Sequence, residues 1–305
     1  MIHLLDAHHL GRPGIIGIAL LDLGPGNGLA MIDCGPDVVF DNLVAALRAL
    51  GRRPEEVRHL VLSHIHFDHA GGAWRWAQEF GTEVHVHPRG QAHLLDPSKL
   101  LASATRIYGE KMDYLWGKME AMPPDRLHLA EDKTQLALSD RVTLEVLATP
   151  GHAQHHNAYF WAAERTVFAG DVAGVKLDDG PVLPPCPPPD IDLESWHTSL
   201  DRLRTLQPET VFVTHYGRLD DPAARFDELE RRLRAWADWM KDELRAGKDE
   251  TVILPEFNQW VLDGLRAEGL NDDELAAYEQ ANPAFMSVAG LVRYWRKFHP
   301  EALAS

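Results

Sequence analysis

The sequence predicts an α+β fold followed by a helical extension, and three patterns predict it. Between residues 15 and 215 short apolar runs of strand character recur, separated by segments of helical period or by Gly and Pro turns. In the later part of that stretch strand follows strand with little between, as in a sheet built from adjacent strands. Beyond residue 220 the chain turns helical. The expected division is residues 1–220 as the mixed domain and 221–305 as a helical C-terminal extension.

Residues 15–35 read as a hairpin of two strands around Gly24, Pro25, Gly26, Asn27 and Gly28, the second strand ending at Asp33. A helix follows at 38–50, with Phe40, Leu43, Val44, Leu47 and Leu50 at helical spacing and Gly51 as its stop. The run at 58–63 suits a buried strand, 70–80 a helix, and the alternation at 82–87 another strand. Residues 96–124 carry Met and aromatic residues in a helical segment longer than a connection needs, which predicts an insertion or lid. Strands resume at 134–149, 157–161 and 165–170. The proline run at 181–190 excludes helix and central strand and must be an extended loop. A helix at 193–206 and a strand at 209–215 close the domain. In the extension, Phe226, Leu229, Leu233, Trp236, Met240 and Leu244 make one apolar helical face, which packs on its own domain or forms a homodimer seam. Further helices at 255–299 are separated by Gly269 and Pro283.

Composition narrows the function. The 305 residues hold 30 Lys plus Arg against 46 Asp plus Glu, a formal net charge of −16 that repels phosphate backbones, so nucleic acid is not an expected partner. Only Cys34 and Cys186 are present, far apart, which excludes a disulfide framework and fits a reducing compartment. The N-terminus lacks a basic region followed by an apolar run, so the expectation is a cytoplasmic chain with no membrane span. Against this ordinary background stand 17 His.

Their placement carries the chemistry. In SHIHFDHAGG, at 63–72, His64, His66, Asp68 and His69 follow a predicted strand. Extended residues two apart point the same way, so His64 and His66 can present both imidazoles to one metal while Asp68 and His69 turn toward a second. His152, Asp171 and His215 each sit at the end of another apolar strand. His85 and His87 alternate within a strand, and His8, His9, His93, His128, His197 and His299 have no partner pattern, so these are read as structural. Tyr108, Tyr114, Trp116, Tyr216 and Arg218 are candidates for a pocket lining rather than for catalysis.

The His-x-His-x-Asp-His signature, the Thr-Pro-Gly-His turn at 149–152, Gly170–Asp171 and the strand-end His215 together resemble the metallo-β-lactamase superfamily, in particular its hydrolase branch that includes glyoxalase II and the lactonases. The resemblance spans roughly residues 15–218 and implies an αββα sandwich with the metals at one edge. By position it implies that His64, His66 and His152 hold one ion, that Asp68, His69 and His215 hold another, and that Asp171 bridges them. Asp33 matches a strand-end Asp that orients a ligand imidazole, the alternative being a plain turn Asp before Gly35. His156 matches the polar residue four past the turn His. His155 stands where relatives often carry a small residue, which either crowds the site or adds a donor. No Cys occupies a ligand position, unlike β-lactamases of the commonest kind.

The implied activity is metal-dependent hydrolysis of a small-molecule ester, thioester or lactone by a hydroxide shared between two divalent ions, with Asp68 as ligand and catalytic residue. All-His and carboxylate ligation suits Zn, Fe or Mn without choosing among them, and Zn is the first expectation. Phosphodiester cleavage ranks lower. The rival class is an oxidoreductase resembling the persulfide dioxygenases, which load a single iron on the same scaffold.

Overall fold

The computed structural model describes residues 1–304. The first half of the chain builds one six-stranded sheet and the helices that cover it. Its elements are β1 (Ile2–Asp6), β2 (Gly17–Asp22), β3 (Leu29–Ile32), α1 (Phe40–Ala49), β4 (Val57–Val61), α2 (Phe67–Ala70), α3 (Ala73–Phe80), β5 (Glu83–Val86), α4 (Pro88–Leu95), α5 (Ser98–Tyr108), α6 (Met112–Leu115) and β6 (Leu127–Leu129). The strand order is that of the chain, antiparallel from β1 to β3 and parallel from β3 to β6. The hairpin predicted at 15–35 is β2 and β3, and β1 pairs with β2 as an edge strand that the sequence reading did not anticipate.

The second sheet takes β7 (Gln135–Ala137), β8 (Thr143–Ala148), β9 (Asn157–Trp161), β10 (Thr166–Phe168), then, after α7 (Leu193–Thr205), β11 (Thr210–Val213) and β12 (Gly217–Leu219). Its order again follows the chain, and only β10 and β11, joined across α7, run parallel. The run at 134–149 holds two strands paired antiparallel, because Ser139, Asp140 and Arg141 turn the chain between them.

The sheets pack face to face, and strand periodicity decides what lies between them. Leu21, Ala30, Ile32 and Val61 of one sheet meet Leu144, Val146, Tyr159 and Phe168 of the other in a buried layer. The alternate positions Leu20, Met31 and Leu60 turn the opposite way onto α1 and α3, where Phe40, Leu43, Leu47 and Trp76 are buried. A strand covered on both faces must be apolar at both parities, which is why 58–63 reads as a continuous apolar run. Trp196, Leu200 and Leu203 place α7 on the outside of the second sheet. The result is the expected αββα sandwich.

The extension is helical throughout: α8 (Pro222–Arg245), α9 (Glu250–Ala267), α10 (Asp272–Ala281) and α11 (Ala284–Arg293). Phe226, Leu229, Leu233, Trp236 and Met240 of α8 are buried within the chain, so the predicted apolar face is consumed by the protein's own core. The proline run at 181–190 lies between the sandwich and α11 and is pinned on both sides. Asn282 Nδ2 donates to the Pro184 carbonyl at 3.1 Å, the Cys186 amide donates to Ser287 Oγ at 3.4 Å, and Arg293 Nε donates to the Pro189 carbonyl at 3.1 Å. Cys34 and Cys186 are free and buried. No helix among the described residues is long and apolar enough to cross a membrane.

One glycine fixes how closely the extension seats. A Cβ on Gly290 of α11 would fall inside the carbonyl oxygen of Cys186, and that backbone has no room to retreat from a packed core. Gly290→Ala is expected to lower the unfolding free energy by about 1–3 kcal/mol through overpacking. Gly264→Ala in α9, where nothing lies within 4 Å, is expected to raise it by about 0.4–1 kcal/mol. Urea denaturation of the two variants checks both signs.

Candidate metal centre

At one edge of the sandwich the loops after β3, β4, β8, β10 and β11 meet, and the structure brings all seven sequence-predicted ligand residues together there. His64 and His66 leave β4 in extended backbone, and His66 caps α2, whose first and last turns carry Asp68 and His69. His152 stands on the Thr149–His152 turn, Asp171 on the turn after β10, and His215 just past β11. Gly151 makes the first of these turns possible: at φ +140° it lets the backbone lie against Trp196, whose Cα a Cβ would strike.

Three overlapping donor groups result: His64 with His66 and His152, His64 with His69 and Asp171, and Asp68 with His69 and His215. In the first, His64 Nε2 and His152 Nε2 approach His66 Nδ1 at 2.9 and 3.1 Å. Those separations approach the edges of a tetrahedron about one ion with 2.0–2.1 Å bonds, roughly 3.4 Å. In the third, Asp68 Oδ2 lies 3.3 Å from His215 Nε2 and 3.7 Å from His69 Nε2. Asp171 reaches both sides, with Oδ2 3.4 Å from His152 Nε2 and Oδ1 3.3 Å from His69 Nε2.

The backs of the rings decide which nitrogen faces inward. His152 Nδ1 donates to the Pro185 carbonyl at 2.8 Å and His215 Nδ1 to the Ile15 carbonyl at 2.7 Å. A carbonyl only accepts, so the Nε2 of each neutral ring holds a lone pair toward the centre. His69 Nδ1 donates to Asp33 Oδ2 at 2.8 Å. Ser63 Oγ donates to the same oxygen at 2.8 Å, which leaves it to accept from His64 Nδ1 at 3.0 Å. Four imidazoles are thus presented through Nε2 and only His66 through Nδ1.

Asp33 anchors this pattern. It also accepts from the Ser63 amide at 2.7 Å and from Thr214 Oγ1 at 2.8 Å, and it is fully buried. Its φ of +60° is the left-handed region, which costs a non-glycine residue about 1–2 kcal/mol. Four hydrogen bonds to a carboxylate, each worth about 1.5–3 kcal/mol, outweigh that cost. His156 is also turned away from the ligand atoms. Its Nε2 accepts from the Asp171 amide at 3.2 Å and its Nδ1 donates to Thr149 Oγ1 at 2.8 Å, fixing the turn that carries Asp171.

Electrostatics divides the cluster. Burial pushes His64, His66 and His152 down, His66 to about 3, so this side is a set of neutral donors. Burial would lower His69 and His215 too, but nearby Asp171 and Asp68 outweigh it and hold both above the usual histidine value. His69 and His215 in turn hold Asp68, and His69 and His152 hold Asp171, well below the carboxylate range despite burial. Two polar atoms nevertheless remain buried without a hydrogen-bond partner, His69 Nε2 and Asp171 Oδ1. Buried donors and acceptors are ordinarily satisfied, and a cation between these two atoms satisfies both. The residues therefore fit a divalent metal ion.

Other sequence candidates scatter. His155 accepts a long 3.5 Å contact from the Ile65 amide and sits edge-on to His66 at 5.4 Å between centroids, on the cavity wall rather than among the converging ligand atoms. Tyr108 and Trp116 line the cavity above the centre, whereas Tyr114 is 66% exposed and, like Tyr216 and Arg218, lies off it. His9, read as structural, stacks on Trp116 and lines the same cavity. His87 caps α4, and His85 pairs with His59 at 3.1 Å. Ser63 and Thr214 carried no signal beyond being hydroxyls beside ligand residues.

The model of the metallo-beta-lactamase superfamily matches residues 16–215. A beta-lactamase-like protein 2 homolog of Caenorhabditis elegans is 27% identical over 228 residues, 74% of this chain and 65% of the relative, so the chain spans just under two thirds of that protein. A metallo-beta-lactamase fold-containing protein of Sulfurisphaera tokodaii is 28% identical over 231 residues, 74% of this chain and 80% of the relative. Its solved structure matches with TM-score 0.63 at 26% identity, over 76% of this chain and 86% of that one. A metallo-beta-lactamase family protein of Thermus thermophilus shares the fold over 97% of this chain and 93% of its own, with TM-score 0.66 at 21% identity, a span that takes in the C-terminal helices.

Asp33→Asn keeps the shape of the side chain but removes the charge and puts an amide where acceptors are needed. It is expected to weaken divalent metal binding by about 10- to 100-fold with the far-UV circular dichroism unchanged, as competition with a chromogenic chelator measures.

Proposed function

The chain belongs to the metallo-beta-lactamase superfamily, and from that premise we propose that it is a hydrolase that holds two divalent ions and cleaves a small ester, thioester or lactone. The observation that carries this reading is the pair of buried, unpartnered atoms His69 Nε2 and Asp171 Oδ1 at the junction of two converging donor groups. His64, His66 and His152 would hold one ion, Asp68, His69 and His215 the other, and Asp171, with one oxygen toward each group, would join them. Five imidazoles and two carboxylates suit Zn, Mn or Fe, with Zn the first choice. When bound, such a pair supplies Lewis acidity to a carbonyl oxygen and acidifies the water it shares.

The chain's own residues do the rest. Of the seven, only Asp68 and His66 are not fully buried, and 23% of the Asp68 side chain is exposed toward the cavity. It can take up and hand on a proton at Oδ1 while Oδ2 faces His215. The carbonyls of Ile15 and Pro185 and the carboxylate of Asp33 keep the imidazoles from rotating, so the reacting groups meet a preorganised polar site. The cavity over the centre, about 800 Å³, has small-molecule dimensions.

Metal analysis of the protein purified without added metal or chelator is expected to give close to two divalent ions per chain, with turnover across an ester, thioester and lactone panel. Chelation should abolish that turnover and readdition restore it. Asp68→Ala is expected to lower kcat by at least about 100-fold while the fold is kept. A single iron with uptake of oxygen on a persulfide would replace this reading with a dioxygenase, and no metal at any loading would remove it.

A further inference from the structure

Three segments of the chain that the metal centre does not use converge above it. The first is the 96–124 insertion, whose α5 and α6 bring Ile107, Tyr108 and Trp116 to the cavity. The second is the proline run. The third is the junction of α10 and α11, which brings Phe285 and Met286. The floor of the same cavity is made by His66, Asp68, His152, Asp171 and His215, so wall and centre form one space of about 800 Å³.

The wall is continuous and aromatic. Phe67, next to Asp68, stacks on Trp116 with ring centroids 6.2 Å apart, and Trp116 meets the edge of Tyr108 at 5.3 Å. Tyr108 in turn meets Phe285 edge-on at 6.2 Å, and its Oη approaches Met286 Sδ at 3.8 Å. The insertion thus touches the C-terminal extension directly and roofs the site. The cations on this lining, Lys99 and Lys111, are exposed. Asp190 and Glu279 also line the cavity, but the ring-to-ring contacts from Phe67 to Met286 involve no charged side chain.

The chain's own contacts hold the wall in place. Asn282, Ser287 and Arg293 pin the extension to the proline run, and Gly290 lets α11 sit against Cys186. An apolar pocket opening onto a polar reactive floor selects a molecule with the same division.

We propose that this pocket takes the apolar acyl arm of the substrate, a medium-length alkyl or arylalkyl chain, and that Tyr108, Phe285 and Met286 set its length. The proposal rests on the hydrolase reading for the fate of the acyl bond but not for the binding of the chain. That bond breaks by water: the acyl carbon gains the water oxygen, and the leaving alcohol or thiol gains a proton, with no oxidant or further reactant. An acyl arm that carried charges along the aromatic stretch would bury them against rings, away from Lys99, Lys111, Asp190 and Glu279, which the wall disfavours.

The test pairs an activity series with a binding series on the metal-loaded protein. For 4-nitrophenyl esters, kcat/KM is expected to rise about 10- to 100-fold from butanoate to octanoate, since each methylene buried on transfer favours binding by a factor of a few. Met286→Trp, which fills the pocket, and Phe285→Ala, which opens it, should both flatten that rise, whereas Tyr114→Ala, on an exposed ring off the cavity, should not. Calorimetric titration with butan-1-ol and octan-1-ol reads the pocket without hydrolysis: octan-1-ol should bind at least 10-fold more tightly, and Met286→Trp should erase the difference. Hydrolysis with no chain-length dependence and no preference for octan-1-ol overturns the apolar-arm proposal and leaves the hydrolase reading. Octan-1-ol binding that Met286→Trp abolishes, with no ester, thioester or lactone turned over, upholds the pocket and overturns the hydrolase reading. Neither binding nor turnover overturns both.

Discussion

The carboxylate of Asp33 is the interaction on which the rest of the centre depends. It lies at the end of a strand in one sheet, accepts from Ser63 at the end of a neighbouring strand, and accepts from Thr214 at the end of a strand in the other sheet. One buried anion therefore ties the two halves of the sandwich at the edge where ligand residues from both must meet. Its bond to His69 is direct, and its hold on His64 runs through Ser63 Oγ, so one residue orients an imidazole in each of the three donor groups. The left-handed backbone at Asp33 aims the carboxylate into this junction, and the hydrogen bonds it accepts keep that conformation occupied.

The same logic, a backbone or second residue fixing the far side of each ring, recurs around the cluster. Ile15 belongs to the loop before a strand of the first sheet, Pro185 to a loop beyond the second, and each offers only a carbonyl. The ring orientations of the cluster are consequently fixed by hydrogen bonds on their far sides rather than left to rotate. Two inward atoms, His69 Nε2 and Asp171 Oδ1, are buried at the junction with no hydrogen-bond partner.

Much of this was legible in the sequence, for reasons that separate residues by type. Ligand residues announce themselves, since His64, His66, Asp68 and His69 form a dense motif after an apolar strand, and His152, Asp171 and His215 repeat the strand-end placement. The groups that orient them were only partly visible. Asp33 and His156 were found by position, but a hydroxyl such as Ser63 or Thr214 has many uses, and the carbonyls of Ile15 and Pro185 have no side-chain signature at all. The fold shows the same split. Interior strands covered on both faces read clearly, whereas Ile2–Asp6, Leu127–Leu129 and Gly217–Leu219, all edge strands, are short or half-exposed and carry too little periodicity to see. The cavity wall was the least legible: Phe285 and Met286 read as ordinary helix residues until the extension is placed against the insertion, a contact between positions far apart in sequence.

The proline run has two faces, and they do different jobs. One carbonyl, that of Pro185, holds His152, while the carbonyls of its neighbours Pro184 and Pro189 hold the C-terminal helices. Because prolines leave this segment few ways to bend, a change on the helix side is transmitted to a ligand ring rather than absorbed. The two walls of the cavity are therefore unequal as raw material for divergence. A change on the 96–124 side, which bears no hydrogen bond to any of the seven residues of the centre, reshapes the cavity alone, whereas a change in the extension also reaches His152 through the proline run.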